Sequence, residues 1–364
     1  MMQKVNCHFK KHILQFTFDA GTSRGVLKTK PTYFIFISHE QRIGVGEASP
    51  LVGLSVETPT KHAFDDYEDK LKQVCEQLTS IPKNKAEMYT FLDQLRLATY
   101  PSIYFGLEMA LIDFYGGGKK LFFETDFSLR EKVIPINGLV WMGDELFMKN
   151  QIEEKLKKGF RTIKMKIGAI DWTTEYELLR SMRIQFSPEE LTLRVDANGA
   201  FDQTNVMQVL DALGDLKVHS IEQPIAPKQT ELMRSICAKT PVAIALDEEL
   251  IGVVGVEQKK RLLEQMQAQY IILKPSLLGG FRACDEWIQI ADEMNIGWWM
   301  TSALESNIGL NAIAQYTASK DVSLPQGLGT GGLYHNNIDS PLTITQGTLL
   351  YKQGKEWDEE LLRL

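Results

Sequence analysis

The stretch TIKMKIG at residues 162–168 is an apolar run that contains a charged residue, Lys166, at its end. Four runs of the same kind follow it, namely LTLRVDAN (191–198), HSIEQP (219–224), VAIALDEE (242–249) and YIILKPS (270–276). Their charged residues are Asp196, Glu222, Asp247 and Lys274, so that successive charges lie 30, 26, 25 and 27 residues apart. A strand, a crossover helix and two loops take ~30 residues. The spacing therefore predicts successive βα units with one charge at each strand end.

The alternation of strands and helices extends from about residue 133 to residue 330. Further candidate strands are VIPING (133–138) before these runs, and GWWMTSAL (297–304) and LPQGLGT (324–330) after them. Eight strands with amphipathic segments between most of them predict a parallel α/β barrel. The Gly-rich LPQGLGT is the weakest of the eight. In such a barrel the C-terminal strand ends meet on one face, where the chemistry takes place.

The segments that flank the barrel have different patterns. Residues 1–56 are predicted to be rich in β-strands, and residues 57–117 contain amphipathic helices. TITQGTLLYKQG (343–354) is predicted to be a strand pair that returns to the first domain. We therefore expect an α+β domain over 1–125, a catalytic barrel over 126–330 and a returning segment over 331–364.

Composition narrows the class of protein. The chain has 364 residues, 44% hydrophobic content and a net charge of −7, which argues against a nucleic-acid surface. The four cysteines form no CxxC pair, and no apolar run approaches the ~18 residues of a membrane span. The first residues do not resemble a secretion signal. We expect a cytoplasmic protein that acts on a small molecule, and its oligomeric state is not readable.

Each charged strand end has an ordinary structural interpretation when it is taken alone. Asp196 precedes Asn198-Gly199 as a turn residue would, and single acids often cap helices. The joint pattern favours a site, because each charge ends an apolar run and a buried charge without a partner is costly. Three converging carboxylates repel one another unless a cation joins them. Oxygen ligands favour Mg²⁺ or Mn²⁺ over zinc.

The lysines on either side of the acids predict proton transfer. Lys164 lies two residues before Lys166, so both side chains point to one face of the strand. Their repulsion and the metal ion are expected to lower the pKa of Lys166 from its reference value of ~10.4. Lys274 lies four strands away and is expected to be a second base or a stabilising cation. We therefore expect removal of a proton next to a carboxylate, which leaves an enediolate.

Five motifs resemble those of the enolase superfamily, muconate-lactonising subgroup: KMK (164–166), DAN (196–198), EQP (222–224), DEE (247–249) and KPS (274–276). GVGEASPLVGLSVET (44–58) is similar to a loop of that family's capping domain, and FGLEMALIDFYG (105–116) to the helix that leads into its barrel. Enolase-type sites pair a Lys or His base with Mg²⁺. The resemblance spans nearly the whole chain and implies an enolase-like α/β fold, a modified TIM-type (β/α)7β barrel with an α+β capping domain.

The same resemblance implies roles for the strand-end residues. It makes Asp196, Glu222 and Asp247 the ligands of Mg²⁺, with Mn²⁺ as a substitute. It makes Lys166 and Lys274 the acid/base pair, and Lys164 lies beside them as a third catalytic candidate. These assignments come from the motifs and not from the spacing.

Within the subgroup, three stretches resemble the family of o-succinylbenzoate synthases: ASPLVGLSVET (48–58), SLLGGFRAC (276–284) and TSALESNIGLNAIAQ (301–315). That resemblance implies a dehydratase of menaquinone biosynthesis, which removes water in the syn sense from a succinyl-hydroxycyclohexadiene carboxylate. Lys166 would take the proton alpha to the ring carboxylate and then protonate the departing hydroxyl. Lys274 would stabilise charge over the ring, partly as a cation–π contact.

Four other functions stay open at this point. N-succinylamino acid racemisation uses the same two lysines on a succinylated substrate, and muconate cycloisomerisation is a third reaction of the subgroup. Dipeptide epimerases often carry an Asp-x-Asp near the eighth strand, whereas LPQGLGTGGLY (324–334) has no acid, which argues against a cationic substrate. The fourth is a catalytically inactive binding protein, which is disfavoured because such a protein would have no reason to retain unpaired buried charges.

Six further residues are secondary candidates for substrate contacts or for support of the site: Arg24, Asn198, Glu248, Gly279, Gly280 and Ser302. Asn198 and Glu248 would orient the metal ligands or Lys274, although Glu248 is equally well a surface acid. Ser302 would bind a substrate carboxylate or cap a strand end. The two glycines would offer N–H groups to an anion or form a tight turn, and Arg24 would bind a carboxylate or be solvated.

Overall fold

An antiparallel sheet opens the chain in the computed structural model, which describes residues 5–22, 25–320, 322–358 and 360. Its strands are β1 (Asn6–Thr22), β2 (Gly25–His39) and β3 (Arg42–Ala48), in the order β1-β2-β3. The central strand β2 is buried on both faces from residue 32 to residue 37. Its side chains alternate, so that Phe34 and Phe36 join the core of the barrel. Tyr33 and Ile35 join the core of the first domain.

Three helices cover this sheet: α1 (Phe64–Gln77), α2 (Lys85–Gln94) and α3 (Pro101–Tyr115). The helix α3 is buried along almost its whole length. Phe105 and Met109 belong to the core of the barrel, whereas Leu107 and Leu111 belong to the core of the first domain. An apolar helix without a polar face is expected where two cores share it.

The helix α3 lies directly against the backbone of β3. A Cβ atom added at Gly46 would lie 1.9 Å from the carbonyl oxygen of Gly106, and one added at Gly44 would lie 2.1 Å from that of Ala110. Glycine is therefore required at both β3 positions, because a methyl group has no space between strand and helix.

Seven parallel strands form the second sheet, and each is hydrogen-bonded to the next one in the chain. They are β5 (Gly138–Val140), β6 (Thr162–Lys166), β7 (Thr192–Asp196), β8 (Ser220–Glu222), β9 (Ala243–Leu246), β10 (Tyr270–Leu273) and β11 (Gly297–Met300). Sequential order of this kind is that of a barrel.

Helices connect these strands, and several begin at the polar residues that favour helix N-termini. They are α4 (Asp126–Arg130) before the barrel, and α5 (Glu145–Lys157), α6 (Trp172–Gln185), α7 (Val206–Asp215), α8 (Thr230–Lys239), α9 (Val256–Met266), α10 (Pro275–Leu278), α11 (Gly280–Glu293) and α12 (Asn307–Ala318) within it. Asp144 caps α5 by accepting from the N–H of Phe147 at 2.8 Å. Short 3₁₀ turns cover Lys61–Ala63 and Glu248–Leu250.

The predicted eighth strand, residues 324–330, is reduced to two β-bridges. Gln326 pairs with Ile136 just before β5, and Gly327 pairs with Thr301 just after β11, both in parallel. Pro325 has no amide hydrogen, which weakens any longer ladder. The two bridges still join the first strand of the sheet to the seventh. The sheet thereby closes, and the predicted (β/α)7β barrel with an α+β capping domain is confirmed.

The C-terminal segment has two attachments. Tyr334 forms a bridge to Phe16 of β1, and the N–H of His335 donates to the carbonyl of Gln15 at 2.9 Å. The strand pair β12 (Leu342–Thr345) and β13 (Thr348–Tyr351) extends instead onto β4 (Ile134–Pro135), at the start of the barrel. The segment therefore touches β1, but its hairpin is not part of the first sheet. Among the described residues no helix is both long and apolar enough to span a membrane.

The close approach of α3 and β3 predicts the effect of a single methyl group. Gly46→Ala is expected to destabilise the protein by about 2 kcal/mol or more, because the added carbon overpacks two backbones. The free energy of unfolding in urea measures this effect. Gly332→Ala is the matched control, since nothing lies within 4 Å of a Cβ atom at that position. Equal stability of the two variants would contradict the packing described here.

Candidate active site

Five charged residues lie at one edge of the barrel. Lys166, Asp196 and Glu222 are the last residues of β6, β7 and β8, and they are paired in register across the three strands. Asp247 and Lys274 directly follow β9 and β10. All five are buried, with exposures between 1% and 9%. The sequence-predicted residues are therefore brought together, and with Lys164 they form what we call the charged rim.

Opposite charges alternate along the charged rim. Lys164 donates a hydrogen bond to Glu222, and its Nζ lies 3.0 Å from Oδ2 of Asp196. Lys166 donates to the same Oδ2 atom, also at 3.0 Å. Lys274 donates to Asp247, and its Nζ lies 3.8 Å from Oε1 of Glu222. Three ammonium groups thus compensate three carboxylates, as buried charges require.

The carboxylates of the charged rim titrate differently because their surroundings differ. Burial raises the pKa of Glu222 to about 7, and the repulsion of Asp196 adds to it, while Lys164 only partly offsets the two. Burial also raises the pKa of Asp247 in spite of Lys274. Burial opposes ionisation of Asp196 too, but Lys164 and Lys166 outweigh it and hold the pKa of that carboxyl below its usual range. Glu222 therefore holds a proton more readily than Asp196 does.

The carboxylates have the chemistry that a hard divalent cation requires. Oε1 of Glu222 is buried and makes no hydrogen bond in the described structure. Asp196 and Asp247 supply further oxygen atoms from the strand ends on either side. Among the described residues, no three acidic, histidine or cysteine side chains are grouped closely enough to hold a metal ion. In the charged rim, Lys164 and Lys274 instead each contact two of the carboxylates. The donor set nevertheless fits Mg²⁺ or Mn²⁺.

Asn198 and Glu248, which the sequence offered as supporting residues, lie next to the charged rim. Oδ1 of Asn198 accepts from Lys166 at 2.7 Å, and Nδ2 of Asn198 donates to Glu248 at 3.1 Å. The N–H of Asn198 donates to Oδ1 of Asp196 at 3.1 Å. Asn198 has a φ of 44°, in the left-handed region that asparagine tolerates. The DAN turn therefore fixes the positions of Lys166 and Asp196 together.

Gln223 is a supporting residue that the sequence reasoning missed. It is fully buried, and its Oε1 accepts from the N–H groups of Asp247 and Glu249, both at 3.2 Å. Its Nε2 donates to the carboxylate of Glu249 at 3.2 Å. Gln223 thereby joins the end of β8 to the turn after β9. The signal was present in the EQP and DEE motifs, which place these residues beside Glu222 and Asp247.

A cavity of about 710 Å³ opens above the charged rim. The barrel contributes Lys164, Lys166 and Lys274 to its lining, and the first domain contributes apolar side chains, namely Leu27, Leu51 and Leu54. Trp141 also lines the cavity, and its ring centroid lies 5.9 Å from Nζ of Lys166. The cavity is thus lined by ammonium groups of the barrel and by apolar side chains of the first domain, and Lys28 and Lys61 of that domain also line it.

Ser302 lines this cavity, but its hydroxyl already has partners. It donates to Oε2 of Glu305 at 2.6 Å and accepts from the N–H of Leu304 at 3.1 Å. Glu305 is fully buried and also accepts from Ser276, two residues after Lys274. Glu305, which the sequence reasoning missed, therefore holds the loop after β11 against the start of α10.

Gly279 and Gly280 are not brought to the cavity. The N–H groups that follow them, those of Phe281 and Arg282, donate to the carboxylate of Glu108 on α3, at 2.6 and 3.3 Å. Both glycines have a positive φ, of 95° and 87°. They are turn residues that direct the next two N–H groups to an internal carboxylate, and we do not propose them as substrate contacts. Arg24 lies outside the described residues.

A family model described as enolase C-terminal domain-like matches residues 148–355 of the chain. An o-succinylbenzoate synthase of Desulfotalea psychrophila is 44% identical over 96% of this chain and 99% of its own length. The chain belongs to the o-succinylbenzoate synthase family of the enolase superfamily. The superfamily and family expected from the motifs, and the class of carbon–oxygen lyase, are confirmed. Members of this superfamily use a divalent metal ion.

Solved structures agree with membership of this family. The crystal structure of MenC from Desulfotalea psychrophila has a TM-score of 0.82 and 40% identity, and it covers 95% of this chain and 99% of that one. Muconate lactonizing enzyme from Pseudomonas fluorescens has a TM-score of 0.83 and 21% identity, with coverage of 100% and 99%. The second likeness concerns the fold alone.

The buried Glu108 predicts a dependence of stability on pH. Burial raises the pKa of this carboxyl to about 7, above the ~4.3 of an unfolded chain. The folded state therefore holds the proton more tightly, and its stability is highest below the unfolded pKa and falls as pH rises towards 7. In the variant Glu108→Gln, the decrease in the free energy of unfolding on going up to pH 7 is expected to be smaller by up to about 3 kcal/mol.

Urea unfolding at pH 5, 6 and 7 measures the effect. The exposed residue Glu76 gives the control variant Glu76→Gln, whose pH profile is expected to match that of the unsubstituted protein. If the free energy of unfolding of Glu108→Gln fell as steeply with pH as that of the control, Glu108 would not contribute to the pH dependence of stability.

Proposed function

We propose that this protein is an o-succinylbenzoate synthase, which dehydrates a succinyl-hydroxycyclohexadiene carboxylate to an aromatic product in menaquinone biosynthesis. The observation that carries the proposal is the 44% identity to such an enzyme over 96% of the chain. The buried charged rim below a cavity of about 710 Å³ supports it, because it provides a base and a cation-binding set at one place. We further propose that residues 1–125 form the capping unit and 126–330 the catalytic unit. The segment 331–364 returns to the capping unit at Tyr334 and His335 before its hairpin pairs with β4. The protein is proposed to act in the cytoplasm.

Asp196, Glu222 and Asp247 are proposed to hold the divalent ion, Mg²⁺ or in its place Mn²⁺. Oε1 of Glu222 makes no hydrogen bond with the described residues, and the ammonium group of Lys274 lies 3.8 Å from it, so this oxygen is available to a cation. When bound, such an ion supplies positive charge that stabilises a substrate carboxylate during proton removal. Asn198, Gln223 and Glu248 keep the strand ends in place.

Lys166, as the uncharged amine, is proposed to remove the proton alpha to the ring carboxylate and so to become an ammonium group. Its Nζ lies at the cavity wall, held by Asp196 and Asn198. The electron pair of the broken C–H bond moves into the carboxylate and then expels the neighbouring hydroxyl, which takes the proton back from Lys166 and leaves as water. The ammonium group of Lys274 stabilises the negative charge that develops on the substrate, and it contacts the ring as a cation. Lys164 stays charged, since Asp196 and Glu222 raise its pKa against the effect of burial.

Racemisation of N-succinylamino acids is a second candidate. The cavity is lined by two lysines from strands four positions apart, Lys166 and Lys274, an arrangement that would allow a proton to leave one face of a carbon and return to the other. Residues 324–334 contain no acid to bind an amino group, so an acylated substrate is favoured over a dipeptide.

Turnover of the cyclohexadiene substrate tests the proposal. Purified protein with Mg²⁺ is expected to produce o-succinylbenzoate, which is followed by the rise in ultraviolet absorbance. Removal of the metal with a chelator is expected to abolish the rate, and added Mn²⁺ to restore a part of it. Rapid turnover of a dipeptide or an N-succinylamino acid, without conversion of the cyclohexadiene acid, would overturn the assignment.

A substitution of Lys166 tests its role as base. Lys166→Met keeps most of the side-chain volume and is expected to lower kcat at least about 10³-fold, since general base catalysis supplies roughly 10²–10⁴-fold. Its unfolding midpoint is expected to stay close to that of the unsubstituted protein, because Lys164 still neutralises Asp196. Lys72→Met, on the exposed surface of α1, is the control. An active Lys166→Met enzyme would remove Lys166 from this role.

A further inference from the structure

Two cysteines of the first domain meet between the antiparallel sheet and its first helix. Cys7 lies on β1, opposite Ile37 of β2, and Cys75 lies on α1. Cys75 is 6% exposed and belongs to the core of the first domain, against which the partly buried Cys7 packs. Both are free thiols, and we call them the thiol pair.

The alternation of side chains along β1 directs Cys7 towards the helices. Successive side chains of a strand point to opposite faces, so Cys7, Phe9 and Lys11 share one face. Cys7 and Phe9 both pack against the core of the first domain. His8, between them, lies on the opposite face and stacks on Phe36 of the barrel core, with ring centroids 5.2 Å apart. The thiol of Cys7 therefore faces α1.

An ion pair sets the level of β1 against α1. Nζ of Lys11 lies 2.6 Å from Oε1 of Glu68 on α1. By subtraction, Cys7 lies four residues before Lys11, about 13 Å along the strand. Cys75 lies seven residues after Glu68, which is two helical turns, about 10 Å along the same face of the helix. The thiols of Cys7 and Cys75 are hydrogen-bonded to each other, so strand and helix run in opposite directions and the two distances match.

The surroundings of the thiol pair make its first reaction slow and its second one fast. The hydrogen bond with Cys75 raises the pKa of Cys7, and burial raises it further. Since the thiolate is the form that attacks an oxidant, little of Cys7 is reactive at neutral pH. Once one sulfur is oxidised, however, the other is already in contact with it and reacts within the molecule.

We propose that the thiol pair is a modification site, at which Cys7 and Cys75 form a reversible disulfide when the protein meets hydrogen peroxide. The thiolate of Cys7, the more exposed of the two, attacks one peroxide oxygen; the O–O bond breaks, one water leaves and Cys7 becomes a sulfenic acid. The sulfur of Cys75 then attacks that of Cys7, the S–O bond breaks and a second water leaves. The two thiols are oxidised by two electrons, and the peroxide is reduced to two molecules of water.

The disulfide joins the first strand to the first helix. It closes the chain from residue 7 to residue 75, and a long closed loop restricts the unfolded chain strongly. Phe64, which begins α1 and lines the cavity, lies about 16 Å along the helix from Cys75. Oxidation is therefore expected to stabilise the first domain and to leave the cavity as it is.

Treatment of the purified protein with hydrogen peroxide tests the site. The intact mass is expected to fall by that of two hydrogen atoms, and the titratable thiols of the unfolded protein to fall from four to two. Digestion without reductant is expected to release a cross-linked peptide that contains Cys7 and Cys75. The unfolding temperature is expected to rise by about 5 °C and to return after dithiothreitol. Because the pKa of Cys7 is raised, cross-linking is expected to accelerate from pH 7 to pH 9.

Two variants separate the thiol pair from the other cysteines. Cys7→Ser is expected to lose both the cross-link and the rise in unfolding temperature. Cys237→Ser is the matched control, since Cys237 is 8% exposed and belongs to the barrel core. It is expected to keep both effects in full.

Three results would overturn the inference. A gain of oxygen without a cross-link would show that the two sulfur atoms cannot join in the folded protein. A cross-link that includes Cys237 or Cys284 would assign the reaction to other thiols. An equal rise in unfolding temperature for Cys7→Ser and the unsubstituted protein would show that the disulfide is not the cause.

Discussion

The mutual neutralisation of buried charges at one edge of the barrel is the constraint on which the site depends. Each carboxylate of the charged rim lies within 3.8 Å of an ammonium group from another strand. Such an arrangement needs a fixed register, because a shift of β6 by one residue would turn Lys164 and Lys166 to the outer face. The parallel pairing of Lys166 with Asp196 and of Asp196 with Glu222 fixes that register. Barrel geometry and site chemistry therefore constrain the same few residues.

A layer of uncharged and acidic side chains holds this edge in place from outside. Gln223 joins β8 to the turn after β9, and Glu305 joins the loop after β11 to the start of α10. Glu47 of β3 extends the same pattern to the first domain, since its carboxylate accepts from the N–H groups of Ser306 and Gly309 at 2.8 and 2.7 Å. The cavity is thus bounded by loops that are fixed to both the barrel and the antiparallel sheet.

The sequence predicted the parts of this structure that local pattern controls. A charge that ends an apolar run, repeated at the length of a βα unit, was enough to place Lys166, Asp196, Glu222, Asp247 and Lys274 at one edge. Contacts between segments that are distant in the chain could not be predicted from the sequence. The pairing of Glu108 with the turn at Gly279 and Gly280 joins residues more than 170 positions apart, and no local pattern reveals such a partner. The bridges at Gln326 and Gly327 were overestimated as a full strand, because an apolar and glycine-rich run does not show how much of it is hydrogen-bonded.

The position of α3 limits how substrate can reach the cavity. This helix contributes to both cores and lies against the backbone of β3, with no space even for a methyl group. A hinge between the first domain and the barrel would have to pull Phe105 and Met109 of α3 out of the barrel core. Opening by rotation of one unit against the other would expose these apolar side chains to water and is therefore disfavoured.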